Sequence, residues 1–173
     1  MTRYLALSVA CLAFLCVLFS PQSRAAEALA APTGKVVLTV GGQVTLPNAG
    51  KVATFDMAML EALPQVTMVT HTPWDGAAVV IFRGPLMRDI LAAAGASGAK
   101  AKVIAINDYA VAIPTADFYK DGVILATRRN GQPMTVREKG PLWVIYPLAD
   151  RPDLDIYETH TKMAWQVKAI DLE

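Results

Sequence analysis

Cysteine is nearly absent from this chain, which has only two cysteines, Cys11 and Cys16, among its 173 residues. Both lie in the first apolar stretch, so no residue beyond that stretch carries a thiol. Residues after Cys16 therefore supply neither a thiolate nucleophile nor a disulfide framework.

An excess of charge of either sign is missing as well. The chain has 16 Lys and Arg against 15 Asp and Glu, which leaves a formal net charge of +1. Because proteins that bind nucleic acid hold its phosphate backbone with clustered basic residues, we expect no nucleic-acid partner. The length and the hydrophobic content of 54% predict one domain with a sizeable core.

Serine and histidine, two common catalytic residues, are also scarce. Ser97 is the only serine after residue 35, and its Gly-Ala-Ser-Gly stretch lacks the glycine elbow that presents a serine nucleophile. His71 and His160 lie far apart in the sequence, and neither has a second histidine at the spacing of a metal site. No glycine-rich loop resembles a phosphate cradle. Conventional hydrolase and nucleotide chemistry are therefore poorly supported.

The first 25 residues have the pattern of an export signal. Arg3 supplies a positive start, residues 4–19 are apolar and uncharged, and Pro21 ends the run before small residues at Ser23 and Ala25. The alternative is an uncleaved anchor, but the apolar run is short for a membrane-spanning helix. We therefore expect export to an oxidising compartment, with the chain divided into a signal peptide, a loose leader and one domain: residues 1–25, 26–35 and 36–173.

Strand patterns outnumber helical patterns in the rest of the chain. Asp56 is a favourable N-cap for a short helix that Pro64 ends, and a second helix runs from Gly84-Pro85 to Gly95. Residues 150–157 read as an acidic loop. These patterns predict an α+β fold, a single mostly-β domain with short helices. Strands are expected at residues 36–40, 43–46, 65–72, 77–82, 102–106, 110–113, 123–127, 132–135, 142–146 and 162–172.

Aromatic residues and isolated carboxylates in turns are the first candidates for ligand binding. Trp74 and Asp75 share one predicted turn, and Asp108 and Tyr109 share another. A carboxylate can accept two parallel hydrogen bonds from a flat heterocycle while an aromatic ring stacks on its face. For Asp108 the alternative is a turn in which the side chain bonds its own backbone. The sequence favours neither burial nor exposure of the Trp74 side chain.

Further candidates have structural alternatives of their own. Trp143 and Tyr146 lie on one predicted strand, and core packing is the alternative for Trp143 and for Trp165. His71 is either a ligand or a surface or core histidine. Lys139 can face either water or an anion.

Five segments, taken in order, match the motifs of one known family. They resemble its F-x-G-x-P-L-x-x-L-L-x-x-A-G, D-G-Y-x-x-x-x-P, N-G-x-P-L, G-P-L-R-x-x-x-P and K-W-x-x-x-I segments. The family is the sulfite-oxidase-type molybdopterin-binding domain, and the resemblance covers about Val36 to Leu172. The matching segments are residues 82–95, 107–114, 130–134, 140–147 and 165–170.

Two departures from the family pattern bear on the expected ligand. Members that carry molybdenum bind it through a cysteine placed after the strand that corresponds to Gln65–Thr72, and this stretch contains no sulfur. Trp143 replaces the arginine that lies near the pterin phosphate in the cofactor-holding branch. The resemblance therefore implies a reduced, unphosphorylated pterin as the ligand and makes a molybdenum cofactor unlikely for this chain.

Residues 137–147 and 163–167 also resemble a shorter, periplasmic branch of the superfamily. That resemblance implies a periplasmic, non-enzymatic pterin-binding protein that relays ligand occupancy to the periplasmic domain of an inner-membrane signalling protein. The partner would be an enzyme of cyclic di-GMP control or a sensor kinase. We expect Trp74, Trp143 or Tyr109 to stack on the ring and Asp108 or Asp75 to pair with its 2-amino and N3 edge. The remaining candidate ligand-binding residues are Tyr146, His71 and Arg83.

Two other functions remain open. One is a molybdopterin-dependent oxidoreductase of the sulfite-oxidase type with a non-cysteine ligand set, for which His71 is a candidate. The other is a structural or interaction module without a small ligand.

Overall fold

Two main sheets, two further strand pairs and four short helices make up the part of the chain that the structure, a computed structural model, describes: residues 28–76 and 78–173. The predicted signal peptide lies outside these residues. The helices are Met57–Ala62 (α1), Met87–Ala94 (α2), Thr115–Lys120 (α3) and Tyr157–Lys162 (α4). Short 3-10 helices cover Val136–Glu138 and Pro152–Leu154. The strands are Val36–Gly41 (β1), Gln43–Val44 (β2), Ala53–Asp56 (β3), Gln65–Thr70 (β4), Val80–Pro85 (β5), Ala96–Ser97 (β6), Lys100–Ala105 (β7), Ala110–Pro114 (β8), Ile124–Ala126 (β9), Arg128–Arg129 (β10), Gln132–Pro133 (β11), Trp143–Ile145 (β12) and Val167–Leu172 (β13).

The larger sheet has five strands in the order β3-β1-β13-β7-β8, and the second has four in the order β11-β10-β5-β4. Strand β13 pairs in parallel with β1 and antiparallel with β7. Strands β9 and β12 form a separate antiparallel pair with every residue buried. A hydrophobic core runs through these layers and includes Leu38, Phe55, Phe82, Ile113 and Trp143. The expected α+β, mostly-β fold is confirmed.

Glycine is required at position 84 because strand β5 packs closely on strand β9 there. A Cβ atom at Gly84 would collide with the backbone carbonyl oxygen of Leu125 and lie 2.8 Å from Cα of Ala126. Helix α2 begins two residues after the strand ends, and Gly95 ends it in the left-handed conformation at φ 57°. The helix predicted between Gly84-Pro85 and Gly95 is therefore confirmed.

Asp56 joins the leader to the domain. Its Oδ1 accepts a hydrogen bond from the Met59 N–H at 2.8 Å, which caps α1 as predicted. Its Oδ2 accepts from the N–H groups of Thr33 and Gly34 at 2.9 and 2.8 Å. The hydrogen bond from Met59, followed by that from Gly34, lowers the pKa of the Asp56 carboxyl.

The segment before the last strand differs from the prediction. Residues 150–157 are not only a loop, because a 3-10 helix covers Pro152–Leu154, and the strand predicted at 162–172 begins only at Val167. Helix α4, with the sequence Tyr-Glu-Thr-His-Thr-Lys, precedes it. The α4 sequence has no apolar periodicity. Hydrogen bonds and ion pairs between its polar side chains and other segments hold the helix instead. None of the helices described between residues 28 and 173 is long and apolar enough to cross a membrane.

Replacing Gly84 with alanine is expected to destabilise the domain. The new methyl group has no space against the β9 backbone, so the two strands must separate, at a cost of about 3 kcal/mol. Urea denaturation monitored by circular dichroism measures the change in unfolding free energy. A loss below about 0.5 kcal/mol, the range of neutral surface changes, would show that the strands are not this close.

Candidate ligand-binding site

A cavity of about 330 Å³ opens where the connection after β4, the β7–β8 turn and helix α4 meet. Apolar and aromatic side chains dominate its wall, and no Asp, Glu, Lys or Arg is among the lining residues of the described chain. A mostly apolar wall with few polar groups is typical of small-molecule sites. The lining residues are Trp74, Ala105, Asn107, Tyr109, Tyr157, His160, Thr161, Met163, Ala164 and Trp165.

The three tryptophans of the sequence form one cluster at this cavity. The ring centroids of Trp74 and Trp165 lie 4.8 Å apart with planes at 80°, an edge-to-face pair. Trp143 lies behind them, fully buried, with its centroid 6.0 Å from Trp74 and 6.4 Å from Trp165. Its indole N–H donates to the Met163 carbonyl at 3.1 Å. Trp74 is 39% exposed, so its ring borders the opening.

A cation lies against the back of the tryptophan cluster. The Nζ atom of Lys139 is 5.4 Å from the ring centroid of Trp143 and 5.9 Å from that of Trp165. These distances are within the range of a cation–π contact. The sequence left open whether Lys139 faces water or an anion. In the structure its ammonium group lies over the rings of Trp143 and Trp165.

Tyr109 closes part of the opening. Its hydroxyl donates a hydrogen bond to the Thr161 carbonyl at 3.1 Å, so the side chain spans from the β7–β8 turn to helix α4. The amide oxygen of Asn107 accepts from the Tyr109 N–H at 3.2 Å and fixes the turn. The turn therefore presents one aromatic and one amide side chain to the cavity.

The two histidines, distant in sequence, meet on one carboxylate. The Nε2 atom of His71 lies 3.0 Å from Oδ2 of Asp155, and Nε2 of His160 lies 2.7 Å from Oδ1. Hydrogen bonds from His71 and then from His160 lower the pKa of the Asp155 carboxyl. This arrangement ties the end of β4 to helix α4, and only His160 of the three lines the cavity.

Asp75, expected to pair with a ligand, faces the protein instead. Its Oδ1 accepts from Nη2 of Arg129 at 2.6 Å, and its Oδ2 accepts from the Thr72 hydroxyl at 2.7 Å. The Asp75 side chain is 8% exposed and does not line the cavity. The Arg129 Nε atom is buried without a hydrogen-bond partner among the described residues.

Asp108 also turns away from the cavity. Its side chain is 85% exposed, and its Oδ1 accepts from Nζ of Lys168 at 2.6 Å. That hydrogen bond, aided by the lysine charge, lowers the pKa of the carboxyl. The residue has a φ of 66° in the tight turn between β7 and β8, so it lies in a turn as the alternative had it, but its side chain bonds Lys168 and not its own backbone.

Tyr146 and Arg83 lie outside the cavity as well. The buried Tyr146 hydroxyl donates to Oδ2 of Asp117 at 3.0 Å, and burial, more than the Asp117 charge, raises the pKa of that phenol. Arg83 lies on β5 with an exposed side chain, opposite Arg128 of β10. Tyr146 therefore belongs to the scaffold, and Arg83 does not line the cavity.

Two of the eight candidate residues line the cavity, and a third backs it. Trp74 and Tyr109 border the space, Trp143 supports it from behind, and the others, which are Asp75, Asp108, Tyr146, His71 and Arg83, do not line it. Trp165 was weighed between core packing and ligand binding and was not among the eight candidates. The Asn-Asp-Tyr motif could have indicated Asn107, whereas nothing in the sequence indicated the residues of α4. The lining residues that were not among the candidates are Ala105, Asn107, Tyr157, His160, Thr161, Met163, Ala164 and Trp165.

Comparison with known proteins decides the family. The model of the oxidoreductase molybdopterin binding domain matches residues 34–149, more than half of the chain. The chain belongs to this family. The resemblance found in the sequence is thus confirmed, while its assignment to a branch without the cysteine ligand stays a prediction. A comparison with curated proteins finds no match.

A solved structure supports the fold of this molybdopterin-binding domain. The sulfane dehydrogenase SoxCD from Paracoccus pantotrophus matches with a TM-score of 0.55 and 17% sequence identity. The match covers 78% of this chain and 37% of that chain. At this identity the likeness shows the fold alone, and this chain spans little more than a third of its neighbour's length.

The family implies a pterin-type ligand. The side chains at the cavity can be compared with what the pterin ring and a bound metal each require. A flat ring needs aromatic faces and a few polar groups, which Trp74, Trp165 and Asn107 supply. A thiolate-bound metal needs a cysteine, and the segment after β4 has His71 and Thr72 instead. Among the described residues, no three His, Cys, Asp or Glu side chains are grouped to hold a metal ion. The cavity therefore fits the organic ring and not a thiolate-bound metal.

The Asp75–Arg129 pair is expected to stabilise the loop that carries Trp74. Asp75→Ala leaves a half-buried guanidinium without its carboxylate, which should lower the unfolding free energy by about 2 kcal/mol. The double variant Asp75→Ala/Arg129→Met should recover part of this loss, because it also removes the unpaired charge. Urea denaturation of the two single variants and the double variant gives the coupling, and strictly additive effects would contradict the pairing.

Proposed function

We propose that this domain binds a pterin ring in the tryptophan-lined cavity. The observation that carries the proposal is the placement of Trp74, Trp165 and Tyr109 around a single cavity large enough for a small molecule. Aromatic side chains bind flat heterocycles by stacking, which contributes about 0.5–1.5 kcal/mol per ring pair beyond the buried area. The match to a molybdopterin-binding family supports the same ligand class.

The polar edge of the ligand would meet neutral side chains. No carboxylate lines the cavity in the described residues, since Asp75 is engaged by Arg129 and Asp108 by Lys168. The amide of Asn107 offers both donors and an acceptor to a pterin's amino and N–H groups. Recognition of the 2-amino and N3 edge by a carboxylate, expected from the sequence, is thus replaced in this proposal by recognition through an amide and an imidazole.

Two uses of the bound pterin follow from different observations. An oxidoreductase is the use that the comparisons favour, because the matching family is one of oxidoreductase domains and the matching solved structure is a dehydrogenase. The chain's own residues would bind and orient the ring, exclude water from its faces and offer it hydrogen bonds. The redox chemistry would require a molybdenum cofactor held by a non-cysteine ligand set.

The second use is the relay suggested by the sequence. In it, an exported, periplasmic protein presents its pterin to the periplasmic domain of an inner-membrane signalling protein of cyclic di-GMP control or to a sensor kinase. Its support is the resemblance of residues 137–147 and 163–167 to the periplasmic branch and the lack of a thiol after Cys16. The comparisons favour the oxidoreductase over this use.

Removing the exposed tryptophan should weaken pterin binding. Trp74→Ala takes away a stacking face, and affinity for tetrahydrobiopterin should fall by about tenfold, equivalent to about 1.4 kcal/mol. Isothermal titration calorimetry under anaerobic conditions measures the dissociation constant. Tyr119→Ala is the matched control, because this tyrosine is 60% exposed and does not line the cavity. Equal losses in both variants would contradict binding at this cavity.

The composition of the protein purified from its native compartment separates the two uses. Pterins fluoresce after oxidation, so extraction followed by fluorescence detects the ligand, and elemental analysis of the same sample counts molybdenum. The donor set described above predicts pterin without a stoichiometric metal, as the relay requires. One molybdenum per chain would instead establish the oxidoreductase, and a sample with neither, from cells that make pterins, would contradict both.

A further inference from the structure

Asp155 is placed to control the state of His160. The carboxylate accepts hydrogen bonds at Oδ1 from His160 and at Oδ2 from His71, and these two are the only histidines of the sequence. The His160 side chain is 24% exposed and the Asp155 side chain 39% exposed, so the bond lies at the edge of the cavity and not in open solvent. The imidazole therefore has one ring nitrogen committed to the protein.

The other ring nitrogen of His160 is left for a ligand. Nδ1 has no hydrogen-bond partner among the described residues, and His160 belongs to the cavity wall. In a neutral imidazole one nitrogen donates and the other accepts. Because a carboxylate can only accept, Nε2 must carry the proton, and Nδ1 is then an acceptor.

We propose that Asp155 is a positioning residue that holds His160 in the Nε2–H tautomer, so that Nδ1 accepts a hydrogen bond from an N–H group of the bound pterin. The inference rests on the proposed pterin site and specifies how that site recognises its ligand. His160 touches the ligand, whereas Asp155 acts through His160.

The chemistry of the cavity calls for such an acceptor. The pyrimidine edge of a pterin presents adjacent N–H donors, and a buried donor without a partner costs about 1–3 kcal/mol. The carboxylates that could have received these donors, Asp75 and Asp108, are engaged elsewhere. An imidazole kept in one tautomer supplies the missing acceptor without placing a charge in an apolar cavity.

The proposal makes binding depend on pH. A protonated imidazole donates from both nitrogens, so a protonated His160 has a donor where the ligand also has a donor. The bonds from both histidines lower the pKa of Asp155, so the carboxylate stays ionised near neutral pH. Tyr109 and Tyr157 line the same cavity, and His71 shares the carboxylate. The other charged groups on the adjoining segments form ion pairs with one another: Glu158, Lys162, Asp117, Arg151, Asp153 and Asp121.

The tautomer can be measured directly in the wild-type protein. Since the chain has two histidines, a long-range ¹H–¹⁵N correlation spectrum of labelled protein shows two imidazole signals, and a His71→Gln sample assigns them. We expect His160 to show the Nε2–H pattern above pH 7.5. An Nδ1–H pattern at this residue would overturn the proposal without any use of a ligand.

A pair of variants on one short segment tests the effect on binding. Asp155→Asn replaces a carboxylate, which can only accept hydrogen bonds, with an amide that can also donate, so it no longer fixes the tautomer of His160. Affinity for tetrahydrobiopterin at pH 7.5 should therefore fall by about tenfold. Asp153→Asn removes the same charge two residues away, where the side chain is 62% exposed and bonds Arg151, and should change affinity less than about twofold. Quenching of the clustered tryptophans gives the dissociation constants. Equal affinities of Asp155→Asn and wild type would overturn the proposal.

The pH profile supplies a readout that loss of structure would not imitate. Wild-type affinity should fall as the pH is lowered from 8 to 5, because a protonated His160 cannot accept a hydrogen bond, and Asp155→Asn should change that fall. A wild-type affinity that stays constant from pH 8 to 5 overturns the proposal even if the variant does not fold. Wild-type protein that does not bind tetrahydrobiopterin at any pH overturns the proposed pterin site itself, so the two failures are distinguishable.

Discussion

The hydrogen bond from the Trp143 indole to the Met163 carbonyl organises the whole site. Trp143 is fully buried against Phe82, at a centroid distance of 5.4 Å, so it belongs to the core of the domain. The same side chain fixes the backbone that leads from α4 to Trp165. A buried indole without a partner would be costly, and satisfying it with the cavity wall makes the site part of the core.

This coupling gives a physical meaning to Trp143, at the position where the sequence resemblance implies an arginine in the cofactor-holding branch. An arginine at this position would bring a charge that needs an anion to balance it. Trp143 instead extends the apolar core to the back of the cavity, and Lys139 remains the cation nearest to the rings. At this position the protein therefore carries an apolar ring and not a charge.

Local features of the fold could be predicted from sequence, whereas the partners of polar side chains could not. Helix α2 and the cap at Asp56 follow from residues within one turn of each other, and both were predicted. Asp108 bonds Lys168, sixty residues away, and no local pattern encodes such a choice. Helix α4 depends on Asp155 and Asp117 for the same reason, so its lining residues could not be foreseen.

The sequence accordingly predicted only part of the site. Trp74 and Tyr109 could be found because aromatic residues in turns are difficult to bury, and that reasoning uses only their neighbours. Strand β13, by contrast, follows the other four strands of the larger sheet in the sequence and yet lies at its centre, between β1 and β7. Until that strand emerges, a growing chain has two unpaired edges, and unpaired edges invite pairing with other molecules. The edges of β1 and β7 are thus open to mispairing until β13 joins them.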